Sequence, residues 1–128
     1  MSSIPLPEGE SWRFLRLFMF ELFKGGMNRL LLRSYPTESH PTRVEIMFMG
    51  TEFIDLPTFF EGLEIRDVTK TEEGERIAQS RRLPADHGLR IFEINSGVVV
   101  GHVVAGDVGY IEDDRGIGDP SAFFLMDP

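Results

Sequence analysis

Much of the chain alternates between apolar and polar residues, which is the period-two pattern of a half-buried strand. Residues 43–49 illustrate it, because Val44, Ile46 and Phe48 share one face. Asn-Ser-Gly at 95–97 separates two such runs and is a typical hairpin turn. The other strand candidates are residues 28–35, 52–56, 63–68, 89–94, 98–104 and 107–112. We therefore expect an antiparallel sheet of about five to seven strands.

Residues 12–24, with the sequence WRFLRLFMFELFK, are compatible with two structures. Their four charged residues fall within one arc of about 140° on a helical wheel, and Ser11 and Gly25 are suitable helix ends. The many aromatic residues instead favour a strand, which would turn at Gly25 and pair with 28–35. Because the charges occupy both odd and even positions, strict alternation fails, and we predict a helix.

Two further segments carry helical signals. Thr58 and Glu61 have the spacing of a capping box, which predicts one helical turn. Residues 69–88 are polar, with acids leading and arginines trailing, and are interpreted as an exposed loop with a short helix. Gly74 weakens that helix. The apolar residues 123–126 near the end of the sequence are expected to dock on the body.

These patterns predict a single globular domain over residues 1–128 of the α+β class. An antiparallel sheet would dominate, with the N-terminal helix at 12–24 packed on it. The alternative is a mainly β fold in which 12–24 pairs with 28–35. A chain of 128 residues with 11 phenylalanines can bury a sufficient core without metal or disulfide.

The charge is unevenly distributed and sums to −8. Residues 1–48 carry a net charge of +1, whereas residues 49–128 carry −9. An acidic chain repels phosphate backbones, so no nucleic-acid partner is expected. The same field would attract a basic protein and accelerate its association.

The absence of cysteine excludes disulfides, thiolate nucleophiles and Cys-based metal sites. The first residues, MSSIPLPEGES, lack the basic and apolar regions of a secretory signal. No apolar run approaches the roughly 20 residues of a membrane span. We therefore expect a cytoplasmic protein with no membrane partner, no metal and no cofactor.

The three histidines are the first candidates for chemistry. His102 lies among valines on a strand, without a carboxylate or second ligand on its face within two residues. His87 follows Asp86 in a turn sequence, and His40 lies in a proline-bounded loop. No hydrolase elbow or zinc motif is present, so catalytic residues are not expected. Gly101, in the same strand as His102, indicates a bulge or a close backbone approach.

The acidic run after residue 110 is the second candidate. A calcium loop starting at Asp113 would need oxygen ligands where Arg115 and Ile117 stand, so calcium is not expected. A partner-facing acidic patch is the better hypothesis. Its predicted residues are Glu112, Asp113, Asp114, Asp119 and Tyr110, with Glu72, Glu73, Glu75 and Phe123 as further contributors.

Charge and the lack of catalytic motifs together favour a small acidic binding protein. It would neutralise or regulate a basic protein partner, as an immunity protein does for a toxin such as a nuclease. One alternative is an enzyme or small-ligand binder that uses His102 and His87 in a sheet-lined pocket. Another is a self-associating module, a homo-oligomer formed through a sheet edge or the Phe-rich segment.

Overall fold

A computed structural model describes residues 3–116 and 118–125. Strands account for 50% of the chain and helices for 10%, so the fold is mainly β. The strands are β1 (Ile4–Pro5), β2 (Ser11–Lys24), β3 (Arg29–Ser34), β4 (Arg43–Met49), β5 (Phe53–Asp55), β6 (Phe59–Asp67), β7 (Arg90–Asn95), β8 (Val99–Ala105) and β9 (Asp107–Asp113). The helices are α1 (Glu72–Ser80) and α2 (Ala122–Leu125).

All nine strands belong to one antiparallel sheet in the order β1-β9-β4-β3-β2-β6-β7-β8-β5. The dominant antiparallel sheet is confirmed, as is the β7–β8 hairpin around Ser96 and Gly97. The expected strand number was too low, because β1 was not anticipated and β2 was predicted as a helix. Strand β1 has only two residues, too few to show a pattern of its own.

The helix predicted at 12–24 is wrong, because this segment is strand β2 and pairs with β3 and β6. The register of β2 shifts twice, between Phe14 and Leu17 against β6 and between Phe20 and Leu22 against β3. Burial nevertheless alternates from Trp12 to Phe20, and Arg16 lies at one of the inward positions, where it donates to Ser34 and Thr42. The alternation ends only after Phe20, at the second shift, so charges fall on both odd and even positions. The helical turn predicted at Thr58–Glu61 is also wrong, because strand β6 begins at Phe59.

The sheet curls around one apolar core on its inner face. Phe48 of β4 meets Phe92 of β7 with ring centroids 5.4 Å apart, although these strands are not neighbours in the sheet. Trp12 of β2 similarly reaches Tyr110 of β9 at 4.8 Å. The fully buried members of this core come from seven strands and include Phe18, Leu32, Ile46, Ile65, Phe92, Val103 and Val108.

The two helices cover separate parts of the outer face. Helix α1 begins at the N-cap Thr71 and packs Ile77 against Ile91 and Val104 of β7 and β8. Helix α2 packs Phe123 against Leu31, Met47 and Ile111 of β3, β4 and β9. The predicted docking of the apolar cluster 123–126 is thus confirmed at Phe123, whereas Met126 lies outside the described residues.

Candidate functional site

The acidic run predicted as a partner patch is divided by the sheet. Glu112, Asp114 and Asp119 are exposed, although the Glu112 carboxylate accepts a hydrogen bond from Thr42 and the Asp119 carboxylate accepts one from the Gly116 amide. Asp113 has a side chain that is only 2% exposed. Three of the four predicted carboxylates therefore reach the surface.

The predicted anchor Tyr110 lies at the edge of the core. Its ring packs edge-on against Trp12 and, at 5.3 Å, against Phe14. The side chain is half-buried. Because most of its apolar area is already used within the chain, Tyr110 offers a partner a small contact.

Asp113 is part of a buried ionic network on the outer face. Arg43, which is fully buried, donates from Nε and Nη2 to the two Asp113 oxygens at 3.1 and 2.9 Å. Arg33 donates from Nε and Nη2 to Glu45 at 2.9 and 2.7 Å. Arg43 and Glu45 join the two pairs at 3.6 Å. Every charge in this network has an opposite partner, as burial of ions requires.

The same network holds the C-terminal segment. The second Glu45 oxygen accepts hydrogen bonds from the Ser121 hydroxyl at 3.0 Å and the Ala122 amide at 2.8 Å. Arg43 also donates to the carbonyl oxygens of Asp119 and Pro120. The network therefore attaches the start of α2 to the sheet.

The three histidines lie in three different depressions. His40 lies beside Arg16, Leu17 and Tyr35, whereas His87 lies beside Thr69 and Lys70. The His87 Nδ1 accepts a hydrogen bond from the Leu89 amide at 2.8 Å and so closes the turn before β7. His102 and His87 do not share a cavity.

His102 lines a groove between helix α1 and the edge of the sheet, which we call the α1 groove. Its volume is about 350 Å³. Strand β5 provides Asp55, and β7 and β8 provide the directly paired Glu93 and His102. The side chains that line the groove include Asp55, Glu73, Arg76, Ile77, Glu93, Val99 and His102.

The imidazole of His102 is held from both sides. Its Nε2 accepts a hydrogen bond from Arg81 Nε at 3.2 Å, and its Nδ1 lies 3.9 Å from Asp55 Oδ2. Burial and the neighbouring Arg81 charge lower the pKa of His102, against the opposing effect of Asp55. Burial and Arg81 thus favour the neutral imidazole, and the distance to Asp55 is too long for a direct hydrogen bond.

The groove is strongly acidic. Segments 52–55 and 72–80 together carry five carboxylates and one arginine, Arg76, which pairs with Glu73. The nearby Arg81 already contacts His102 and lies over the Phe53 ring at 5.2 Å. Asp55 and Glu93 consequently face the groove without a lysine or arginine partner among the described residues.

The groove also has an apolar wall, which can contact the aliphatic part of a bound side chain. Ile77 of α1 and Val99 of β8 border the carboxylates, and Val99 is 61% exposed. A side chain with an aliphatic stem and a cationic head matches this surface. Within 3–116 and 118–125, no three His, Asp or Glu side chains are grouped so that they could hold a metal ion.

Sequence reasoning considered His102 but missed the groove. Asp55 is the last residue of the three-residue strand β5. No local sequence pattern indicates that β5 pairs with β8. The contact between Asp55 and His102 joins residues 47 positions apart. The acidic residues in the first turn of α1 were the sequence feature that could have indicated the groove. Glu72, Glu73 and Glu75 were already candidates for a partner surface.

Comparisons with protein-family models, with curated proteins and with solved structures find no significant match for this chain. Neither of the helices among the described residues has the length and apolar character needed to cross a lipid bilayer.

Proposed function

We propose that this protein is a binding protein of the cytoplasm that neutralises or regulates a basic protein partner. The single observation that supports it is the α1 groove, where the one lining arginine, Arg76, pairs with Glu73, and Asp55 and Glu93 have no lysine or arginine partner among the described residues. A lysine or arginine of the partner enters this groove and supplies the missing charge.

Burial and shape support this mode of binding. The stem of the incoming side chain lies along Ile77 and Val99, while its cationic head approaches Asp55 and Glu93. Glu73 is occupied by Arg76 and acts as part of the wall. Glu93 is partly buried, whereas the Asp55 side chain is 63% exposed, so Glu93 is the carboxylate that solvent screens less. Two neighbouring carboxylates attract one cation more strongly than an isolated surface acid does.

The wider field supports fast association. The net charge of −8 attracts a basic partner at a distance, and Glu72 and Glu75 on α1 add to the field next to the groove. Glu112, Asp114 and Asp119 provide a second exposed acidic region. This steering weakens as salt is added, so the association rate falls with ionic strength.

An immunity protein or another inhibitor of a toxin is the concrete form of this proposal. A nuclease binds phosphate through lysine and arginine side chains, and an acidic protein that covers these side chains blocks its substrate. Such a role needs a rigid acidic surface and no catalytic group.

A labelled oligolysine peptide tests the proposal without knowledge of the natural partner. We expect Asp55→Asn combined with Glu93→Gln to weaken binding about tenfold, as two lost ion pairs would. The matched control is Glu112→Gln combined with Asp114→Asn, which removes the same charge outside the groove. Equal weakening by both pairs, or a larger effect of the control pair, would contradict the groove as the binding site.

A further inference from the structure

Along the middle of strand β2, the outer face of the sheet exposes apolar side chains to solvent. Leu15 is 75% exposed, Leu17 49% and Met19 36%, and Phe59 of the neighbouring β6 is 55% exposed. Met19 and Phe59 are directly paired across the two strands. We call these four residues the β2–β6 stripe; the exposed carboxylate of Glu61, which is paired with Leu17, borders them on β6.

The position of the stripe makes its exposure unusual. β2 and β6 are central strands, and helices α1 and α2 cover the outer face on either side of them. The described residues provide no element over the stripe itself. Central strands with an open apolar face mark an interaction surface more often than isolated exposed side chains do.

The stripe residues line shallow depressions. One of about 380 Å³ lies along Arg13, Leu15 and Glu64, one of about 400 Å³ along Leu15, Leu17 and Glu61, and a smaller one of about 100 Å³ along Leu17, Met19 and Tyr35. Exposed side chains of a second copy can enter these depressions.

The charges at the border are self-complementary. Arg13 of β2 and Glu64 of β6 are directly opposite in the register, and neither is ion-paired within the described part of the chain. A two-fold axis parallel to the strands lays β2 of one copy over β6 of the other. Arg13 of each copy then faces Glu64 of its mate, and Met19 faces Phe59.

We infer that the β2–β6 stripe is the contact of a symmetric dimer of this chain. The interface is isologous, so each apolar and ionic contact occurs twice. It lies on a different part of the outer face from the α1 groove, so a dimer presents two grooves to basic partners.

Sedimentation equilibrium of the full chain tests the dimer, and we expect a measurable monomer–dimer equilibrium with a Kd of roughly micromolar order. Leu15→Glu should leave the chain folded by circular dichroism and weaken the dimer more than tenfold, because two charges enter the apolar contact. The control Met27→Glu changes a residue that is 65% exposed in the β2–β3 turn and should leave the Kd unchanged. A wild-type chain that stays monomeric, or a Leu15→Glu dimer of unchanged Kd, overturns the inference.

Exchanging the charges of Arg13 and Glu64 tests the position of the proposed two-fold axis. Arg13→Glu and Glu64→Arg should each weaken the dimer, since each places like charges face to face. The double variant restores the pairs in reversed order and should return the Kd to within about threefold of the wild-type value. Two weakened single variants without recovery in the double variant would overturn the proposed facing of Arg13 and Glu64.

Discussion

Arg43 and Asp113 face each other across strands β4 and β9, and the guanidinium donates to both carboxylate oxygens. Both side chains are buried. An aspartate from the acidic run after residue 110 therefore forms an ion pair inside the protein. The next residue, Asp114, is exposed. One position along the chain thus separates a structural carboxylate from a surface carboxylate.

Replacing Arg43 with methionine should destabilise the protein by about 3–5 kcal/mol, because Asp113 is left charged and buried. Urea unfolding followed by circular dichroism measures the change. Combining Arg43→Met with Asp113→Leu should cost less than Arg43→Met alone, since the orphaned charge is removed. Asp114→Asn is the control and should change stability by less than about 0.5 kcal/mol. A double variant as unstable as the sum of its single variants would contradict the pairing.

Gly74→Ala should destabilise the protein although alanine favours helices. Helix propensity alone predicts a gain of about 0.8–1.0 kcal/mol. In the fold, however, a Cβ on Gly74 would lie 2.0 Å from the carbonyl oxygen of Val68, so α1 must shift away from the sheet. We expect a loss of about 1–3 kcal/mol in urea unfolding. Gln79→Ala, at an exposed position of the same helix, is the control, and a Gly74→Ala protein more stable than wild type would show that the contact is absent.

Gly101→Ala should detach the edge strand β5. A Cβ on Gly101 would lie 1.7 Å from the Asp55 carbonyl oxygen, which leaves no room for the β5–β8 pair. Hydrogen exchange should accelerate at the Glu52 amide, which donates to the Val104 carbonyl at 2.8 Å. Gly25→Ala is the matched control, because a Cβ there meets nothing within 4 Å. Unchanged protection of Glu52 in Gly101→Ala would contradict this close approach.

Arg81→Gln should raise the pKa of His102, because one cause of its lowered value is the Arg81 charge and Asp55 remains to favour the imidazolium. NMR titration of the His102 ring protons measures the shift. Arg82→Gln removes the same charge from the exposed next residue and serves as the control. Equal titration of His102 in wild type and Arg81→Gln would contradict the contact.

The lowered pKa of His102 also predicts a pH dependence of stability. The folded chain binds this proton less readily than the unfolded chain, whose histidine titrates near 6.5. The contribution to stability is complete above 6.5 and is lost as the pH falls through the lower, folded value. Urea unfolding at several pH values should show a smaller acid loss in Arg81→Gln than in wild type.

The local patterns anticipated several elements because local interactions are sufficient to form them. Strand β4 begins with a clear alternation from Arg43 to Ile46, and Gly97, with a φ of +80°, permits the turn between β7 and β8. The prediction that Gly101 marks a close approach was confirmed, although only the fold identified Asp55 as the neighbour. Strand β2 was misjudged because Arg16 is a charged residue at an inward position and because the register shift after Phe20 ends the alternation.

The sequence by itself determined an antiparallel sheet, its clearest hairpin and an acidic surface, since side-chain alternation, turn residues and charge are properties of short segments. Only the tertiary structure decided which carboxylates are buried, that β5 brings Asp55 to His102, and that the apolar side of β2 stays uncovered. These outcomes depend on the order of strands and on register between distant segments. Strand pairing of that kind is set by the packing of the whole core, which no single segment encodes.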